Sequence, residues 1–188
     1  PLEHSGYEEH YGALSADGSS MLTLVHRDAQ TFLRHYNTTS GDGLDLGAPH
    51  GILSGLGYMD DGRIFCLHQN SIYRPRMIAI DGNGQETEIV GAEYGAYSPT
   101  HFKDGQYISY PPFDDLTIYG ILYLPEHARP ENPVPAIVFV HGGPTSQDVM
   151  RFDPLSQLFV NRGFAVLRVN YRGSTGYGKV FQEMNVGD

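Results

Sequence analysis

Two glycines directly follow an apolar run in His141-Gly142-Gly143-Pro144-Thr145-Ser146-Gln147. A loop of this kind leaves the C-terminal end of a strand, where open α/β sheets bind their ligands. Glycine has no side chain to shield its amide, so the N–H groups of Gly142 and Gly143 can be aimed at a carbonyl oxygen gaining charge during acyl transfer. Glycine also serves tight turns through its dihedral freedom alone, and the residues leave both readings open. His141 fits either a structural hydrogen bond or a general base, but no serine or cysteine stands in a context that would present it with a nucleophile. The elbow pattern Gly-x-Ser-x-Gly does not occur: Ile52 stands two places before Ser54, and Arg172 two places before Ser174.

A second polar loop, Asn170-Tyr171-Arg172-Gly173-Ser174-Thr175-Gly176-Tyr177-Gly178-Lys179, follows another apolar run. Gly173 to Lys179 has the spacing of a phosphate loop, yet Val180 occupies the place of the hydroxyl that binds magnesium. The loop therefore reads as packing beside the floor of a site, with Arg172 anchoring it to a carboxylate or carbonyl. The nine histidines form neither a His-x-x-x-His pair nor a His-Glu-x-x-His pattern, and one cysteine, Cys66, makes neither a disulfide nor a cysteine-rich metal site. Nothing in the sequence asks for a cofactor or a metal. Asn37-Thr38-Thr39 is a glycosylation sequon, of consequence only in a secreted protein.

The elements that carry these loops fall in the second half. Leu116 to Leu124 alternates as a strand with one buried face, and Pro125 ends it. Ala136 to Val140 is continuously apolar, as expected of a central parallel strand buried on both faces. Asp153 and Pro154 suit the cap and first position of a helix whose Leu155, Leu158 and Phe159 share a face, and Gly163 supplies its left-handed stop. Phe164 to Val169 is the next buried strand, which makes a right-handed crossover, and residues 179–187 begin another helix. So few elements leave a large apolar face uncovered, so residues 116–188 read as the front of a larger α/β domain.

The first half has different grammar. Asp17-Gly18 precedes the run Met21–Val25, and Asp61-Gly62, 44 residues on, precedes Ile64–Leu67. Each is followed by a further apolar segment, Thr31–Tyr36 in one copy and Met77–Ile80 in the other. A third Asp-Gly, Asp104-Gly105, stands 43 residues later before Tyr107–Tyr110. This spacing fits the four-stranded units of a β-propeller, although a plain meander with recurring turns has the same grammar.

With 12 Lys+Arg against 22 Asp+Glu, the formal charge of -10 argues against nucleic acid or an anionic membrane as a partner. No segment approaches the length of a membrane-spanning helix. The residues PLEHSGYEEH lack the basic start and apolar stretch of a signal peptide. Cysteine usage leans toward a reducing compartment, and the cytoplasm is the expected location.

Tyr110 to Pro125, Pro135 to Gln147 and Asn161 to Gly178 together resemble the prolyl oligopeptidase family of serine peptidases, and most closely its acylaminoacyl-peptidase and dipeptidyl-peptidase-like branches. The likeness is specific over residues 110–182 and only compatible over 1–109. It implies a mixed fold, with the last antiparallel blades of a β-propeller over 1–109 and an incomplete N-terminal part of an α/β-hydrolase domain over 110–188. It implies that Gly143 contributes to an oxyanion hole shaped by Gly142 and His141, with a peptide or N-acylated peptide as substrate. The family's serine, aspartate and histidine fall after this segment, so neither Ser146, Asp153 nor His141 takes their places. The 188-residue chain by itself is expected to be inactive, and its partner is the remainder of the polypeptide or a companion chain; a homo-oligomer is also compatible. The family's usual Asp-Gly before the first hydrolase strand is Asp114-Asp115 here. A carboxylesterase fragment and a non-catalytic β-repeat module are the alternatives.

Overall fold

The computed structural model describes residues 7–111, 113–114, 116–143 and 145–185. Among the described residues the strands form three four-stranded sheets. The first is an antiparallel meander of β1 (Glu8–Leu14), β2 (Ser20–Arg27), β3 (Gln30–Asn37) and β4 (Gly43–Leu46). The second repeats it with β5 (Ile52–Tyr58), β6 (Ile64–Gln69), β7 (Arg76–Ile80) and β8 (Glu86–Val90). Asp17-Gly18 and Asp61-Gly62 lie in the turns before β2 and β6, and both glycines have positive φ, 74° and 84°. The first strand of each sheet also carries an irregularity in register, at Tyr11/Ala13 and at Ser54/Gly57. These are two copies of one propeller blade, and they share a core of Leu22, Leu24, Leu33, Leu53, Ile64, Cys66, Ile78 and Ile80.

The hairpin between β2 and β3 turns on Asp28 and Ala29, both with positive φ (54° and 58°). Two such residues match the twist of the flanking strands, a job usually given to Asn-Gly. A non-glycine residue in this region costs about 1 kcal/mol. Ala29 offsets that cost by reaching the third sheet. Its methyl is buried with Ile121, Tyr123, Met150, Val160 and Val166, and its carbonyl accepts the Met150 amide at 2.8 Å.

The third sheet contains β9 (Gln106–Tyr110), β10 (Ile118–Tyr123), β11 (Ala136–Val140) and β12 (Ala165–Asn170), ordered β11-β12-β10-β9. β11 and β12 are parallel, joined through helix α1 (Pro154–Val160); the other pairs are antiparallel. This is the opening of an α/β-hydrolase sheet. Helix α2 (Lys179–Glu183) follows, and Val186 and Gly187 of the expected helix lie outside the described residues.

Three expectations change. Asp104-Gly105 does not open a third blade, because β9 pairs with β10 along its whole length. Gly105 is there for close approach: a Cβ would lie 2.8 Å from Ile121 Cγ2 and 2.9 Å from both Ser71 Oγ and Tyr123 Cζ. β11 is not buried on both faces. Among the described residues it lies at the edge of its sheet, with Val138 57% and Val140 67% exposed, the uncovered apolar surface expected of the front of a larger α/β domain. On α1 the buried residues are Ser156, Gln157 and Val160, while Leu155 and Leu158 stand 51% and 41% exposed. The helix turns its polar Ser156/Gln157 side inward because Gln157 has partners there. Its Nε2 donates to the carbonyls of Ser71 and Lys103, both at 2.8 Å, and its Oε1 accepts the Lys103 amide at 2.9 Å.

Candidate active-site loop and its cradle

The loop 141–147 leaves the C-terminal end of β11, and the loop 170–179 leaves the same end of the neighbouring parallel strand β12. Adjacent parallel strands bring their C-terminal loops side by side, and here the second loop forms a mould for the first. The Tyr171 hydroxyl donates to the His141 carbonyl at 2.8 Å, and its ring stacks on the imidazole with centroids 4.6 Å apart. The Thr175 amide donates to the Ser146 carbonyl at 2.9 Å. Gly176 admits the Gln147 carboxamide, whose Oε1 would lie 2.4 Å from a Cβ at that position.

His141 is committed to this assembly through both ring nitrogens. Nε2 lies 2.9 Å from the Ser174 hydroxyl and Nδ1 lies 3.0 Å from the Gly142 carbonyl. Ser174 is fully buried and donates its own proton to the Tyr171 carbonyl at 2.6 Å. The pair thus has serine–histidine spacing without a solvent-facing nucleophile. Gly142 and Gly143 are exposed, and among the described residues neither amide has a hydrogen-bond partner. Gly143 adopts φ 137°, where a Cβ would come within 3.0 Å of Ser146 Cβ and 3.2 Å of the Thr145 amide. Around Gly142 a Cβ would meet open space. Pro144 lies outside the described residues.

Beneath the loops sits a buried polar network that the reading of the sequence did not single out. Asn170 accepts the Asp148 amide at 2.7 Å, and its Nδ2 donates to the Asp148 carbonyl and to the Tyr177 hydroxyl, both at 2.8 Å. Arg168 pairs with Asp148 at 2.8 Å and with Asp153 at 3.3 Å. Asp153 also caps α1 by accepting the Ser156 amide at 2.7 Å. The Tyr177 hydroxyl, pushed up to about 12 chiefly by burial, stays protonated as a hydrogen-bonding group. Arg172 pairs with Asp114 at 2.6 Å, the acidic anchor its sequence context suggested; Asp115 lies outside the described residues. Among the described residues no three His, Cys, Asp or Glu side chains converge as a metal-ligand set.

Blades packed against the opening strands of an α/β-hydrolase sheet, with a glycine loop at the strand ends, define a propeller-plus-α/β-hydrolase fold. No family model matches the chain. It is 42% identical over 81 residues to dipeptidyl aminopeptidase BIII of Pseudoxanthomonas mexicana, covering 40% of this chain and 12% of that protein. Dipeptidyl-peptidase 4 of Giardia intestinalis is 26% identical over 191 residues, covering 87% of this chain and 25% of that one. The crystal structure of Pyrococcus horikoshii acylaminoacyl peptidase superposes with a TM-score of 0.73 at 20% identity, over 94% of this chain and 28% of that one. The chain is thus similar to peptidases of the prolyl oligopeptidase family, and it spans only 12%, 25% and 28% of the length of these three relatives. No helix among the described residues is long and apolar enough to cross a membrane.

Proposed function

We propose that this chain is the joint of a serine peptidase that cleaves short peptides or N-acylated peptides through an acyl-enzyme, and that the Gly143 amide, with Gly142 and His141 shaping the loop, forms part of its oxyanion hole. One observation carries the reading: an exposed pair of glycine amides without partners among the described residues, at the C-terminal end of a parallel strand, on a loop clamped by Tyr171, Ser174 and Thr175. Clamping matters because an oxyanion donor stabilises developing charge only if it need not reorganise as the charge appears. His141 then works as a positioning residue. The serine that attacks the carbonyl, the histidine that takes its proton and the aspartate that orients that histidine come from polypeptide outside these 188 residues.

We divide the chain into propeller blades over 1–109 and hydrolase over 110–188, a boundary that β9 (Gln106–Tyr110) straddles while pairing wholly within the third sheet. The exposed edge of β11 and the exposed Leu155 of α1 are the surfaces that further hydrolase strands and helices would cover. The buried thiol of Cys66 suits a reducing compartment, in line with a cytoplasmic location.

The reading is tested on a longer polypeptide that includes the nucleophile, assayed with acyl-alanine p-nitroanilide. Gly143→Ala moves the amide, because alanine resists φ 137° and clashes with Ser146. The expected result is a fall in kcat of about a hundredfold with KM little changed. Unchanged kcat, or serine-dependent turnover by the 188-residue chain alone, overturns the reading.

A further inference from the structure

We propose that the joint between the second blade and helix α1 is a docking groove for an acidic peptide segment that alternates carboxylates with an aromatic or prolyl side chain. The observation is where the unpaired cations lie. Of the 12 Lys and Arg residues, eight have a carboxylate within 4.0 Å among the described residues. Arg129 spends its guanidinium on the carbonyls of Glu126 and Ala128 at 2.7 and 2.6 Å. The remaining three, Arg74, Arg151 and Arg162, border two adjoining cavities of about 600 and 390 Å³. In a chain with almost twice as many acids as bases, leaving three arginines without carboxylates at one place is an electrostatic preference for an anionic visitor.

The walls say which kind of anion. The two cavities share Tyr97, Phe102, Phe152 and Pro154. Phe102 packs edge-on against Phe152 at 4.9 Å and tilts toward Tyr97 at 6.5 Å, while Tyr97 itself is 66% exposed. Arg74 and Arg151 border the first cavity and Arg162 the second, with the shared rings between them. Carboxylate, ring, carboxylate along an extended backbone matches that order, whereas a compact anion would engage one end only. Arg74 donates one N–H to the Glu93 carbonyl, which holds the side chain and leaves the rest of its fork for a carboxylate. The one acidic side chain lining the groove, Asp153, is already taken by the Ser156 amide and Arg168. Aromatic walls add apolar burial and ring packing for a phenylalanine or proline of the visitor.

This inference is independent of the oxyanion reading, and its test needs no turnover. An end-blocked, fluorescein-labelled Glu-Phe-Pro-Glu peptide is titrated by fluorescence anisotropy with the longer polypeptide, its nucleophile replaced by alanine so that the probe is not cleaved. Saturable binding that weakens with salt is expected. Arg74→Gln with Arg151→Gln should weaken it roughly tenfold, two exposed ion pairs' worth, and Arg162→Gln severalfold. Tyr97→Ala, at an exposed ring where folding is not at stake, should weaken it as well, and Arg129→Gln should not. Far-UV circular dichroism confirms that each variant is folded. The proposal fails if the peptide does not saturate, if the Gln-Phe-Pro-Gln peptide binds as tightly, if Arg129→Gln weakens binding as much as the groove variants, or if inorganic phosphate or a mononucleotide displaces the peptide at equal concentration.

Discussion

Replacing Gln157 by leucine should destabilise the molecule far more than its position on a short helix suggests. The side chain is nearly fully buried, and its carboxamide serves three backbone groups across the joint: the carbonyls of Ser71 and Lys103 and the Lys103 amide. Leucine fills a similar volume but leaves all three without their partner. A buried group orphaned in this way costs about 1–3 kcal/mol. Ser71 is fully buried, so its carbonyl bears the upper part of that range, whereas half-buried Lys103 recovers some solvation. A total of about 3 kcal/mol follows, a large fraction of the roughly 5–15 kcal/mol that holds a domain folded. Urea unfolding followed by circular dichroism and tyrosine fluorescence reads this as a fall in midpoint of roughly 1 M. The blades and the third sheet should also begin to unfold separately, since Gln157 ties the β6–β7 loop to α1. Leu155→Gln, two residues away on the exposed side, should change the stability by less than about 0.5 kcal/mol. If Gln157→Leu does no more than Leu155→Gln, the three hydrogen bonds are not what secures the joint.

Cys66 should resist thiol reagents while the protein is folded. Burial pushes its thiol up to about 12, with Glu86 adding to the shift, so labelling at pH 8 should appear only with denaturant and track the unfolding curve. Asp17 is held at about 2, against 3.8 for a free carboxyl, first by the Ser15 hydroxyl and then by the Ser19 amide and hydroxyl. A depressed carboxyl favours the folded turn above the unfolded pKa, and that contribution disappears as pH falls from about 4 through 2. An NMR titration should find its midpoint near 2, and Ser15→Ala should return it toward 3.8; a midpoint near 3.8 in the parent chain would refute the assignment.

The blades were legible because Asp-Gly turns and apolar runs repeat at the same offsets in both copies, and the backbone uses those glycines at positive φ. The same signal misled at Asp104-Gly105. Asp-Gly reports a place where the chain needs a small residue, but it does not say whether a turn or a crowded neighbour imposes the need, nor which sheet the next strand joins. The apolar run of β11 announced a parallel strand, but not that its neighbour on one side is β12 and that its other side is open among the described residues. At α1 the capping residues Asp153 and Pro154 were readable, whereas the burial of Ser156 and Gln157 depends on carbonyls supplied from Ser71 and Lys103. The residue types in the glycine loop were visible in the sequence. Its contact with Ser174 was not, because 33 residues separate His141 from the serine and only the parallel pairing of β11 and β12 brings them together. One signal was available and passed over: Arg168 and Asn170 alternate with apolar residues in β12, and a polar side chain on a buried strand requires partners. Here they are Asp148, Asp153 and Tyr177.

The hairpin tip at Asp28 and Ala29 also bears on how the chain comes off the ribosome. Its two strands and both blades are synthesised while Ile121, Tyr123, Met150, Val160 and Val166, the pocket that receives Ala29, are still unmade. A nascent chain therefore carries a preformed plug with no socket, and the plug can seat only after β12 has emerged. Until then it is a point at which a chaperone or a wrong neighbour could take hold.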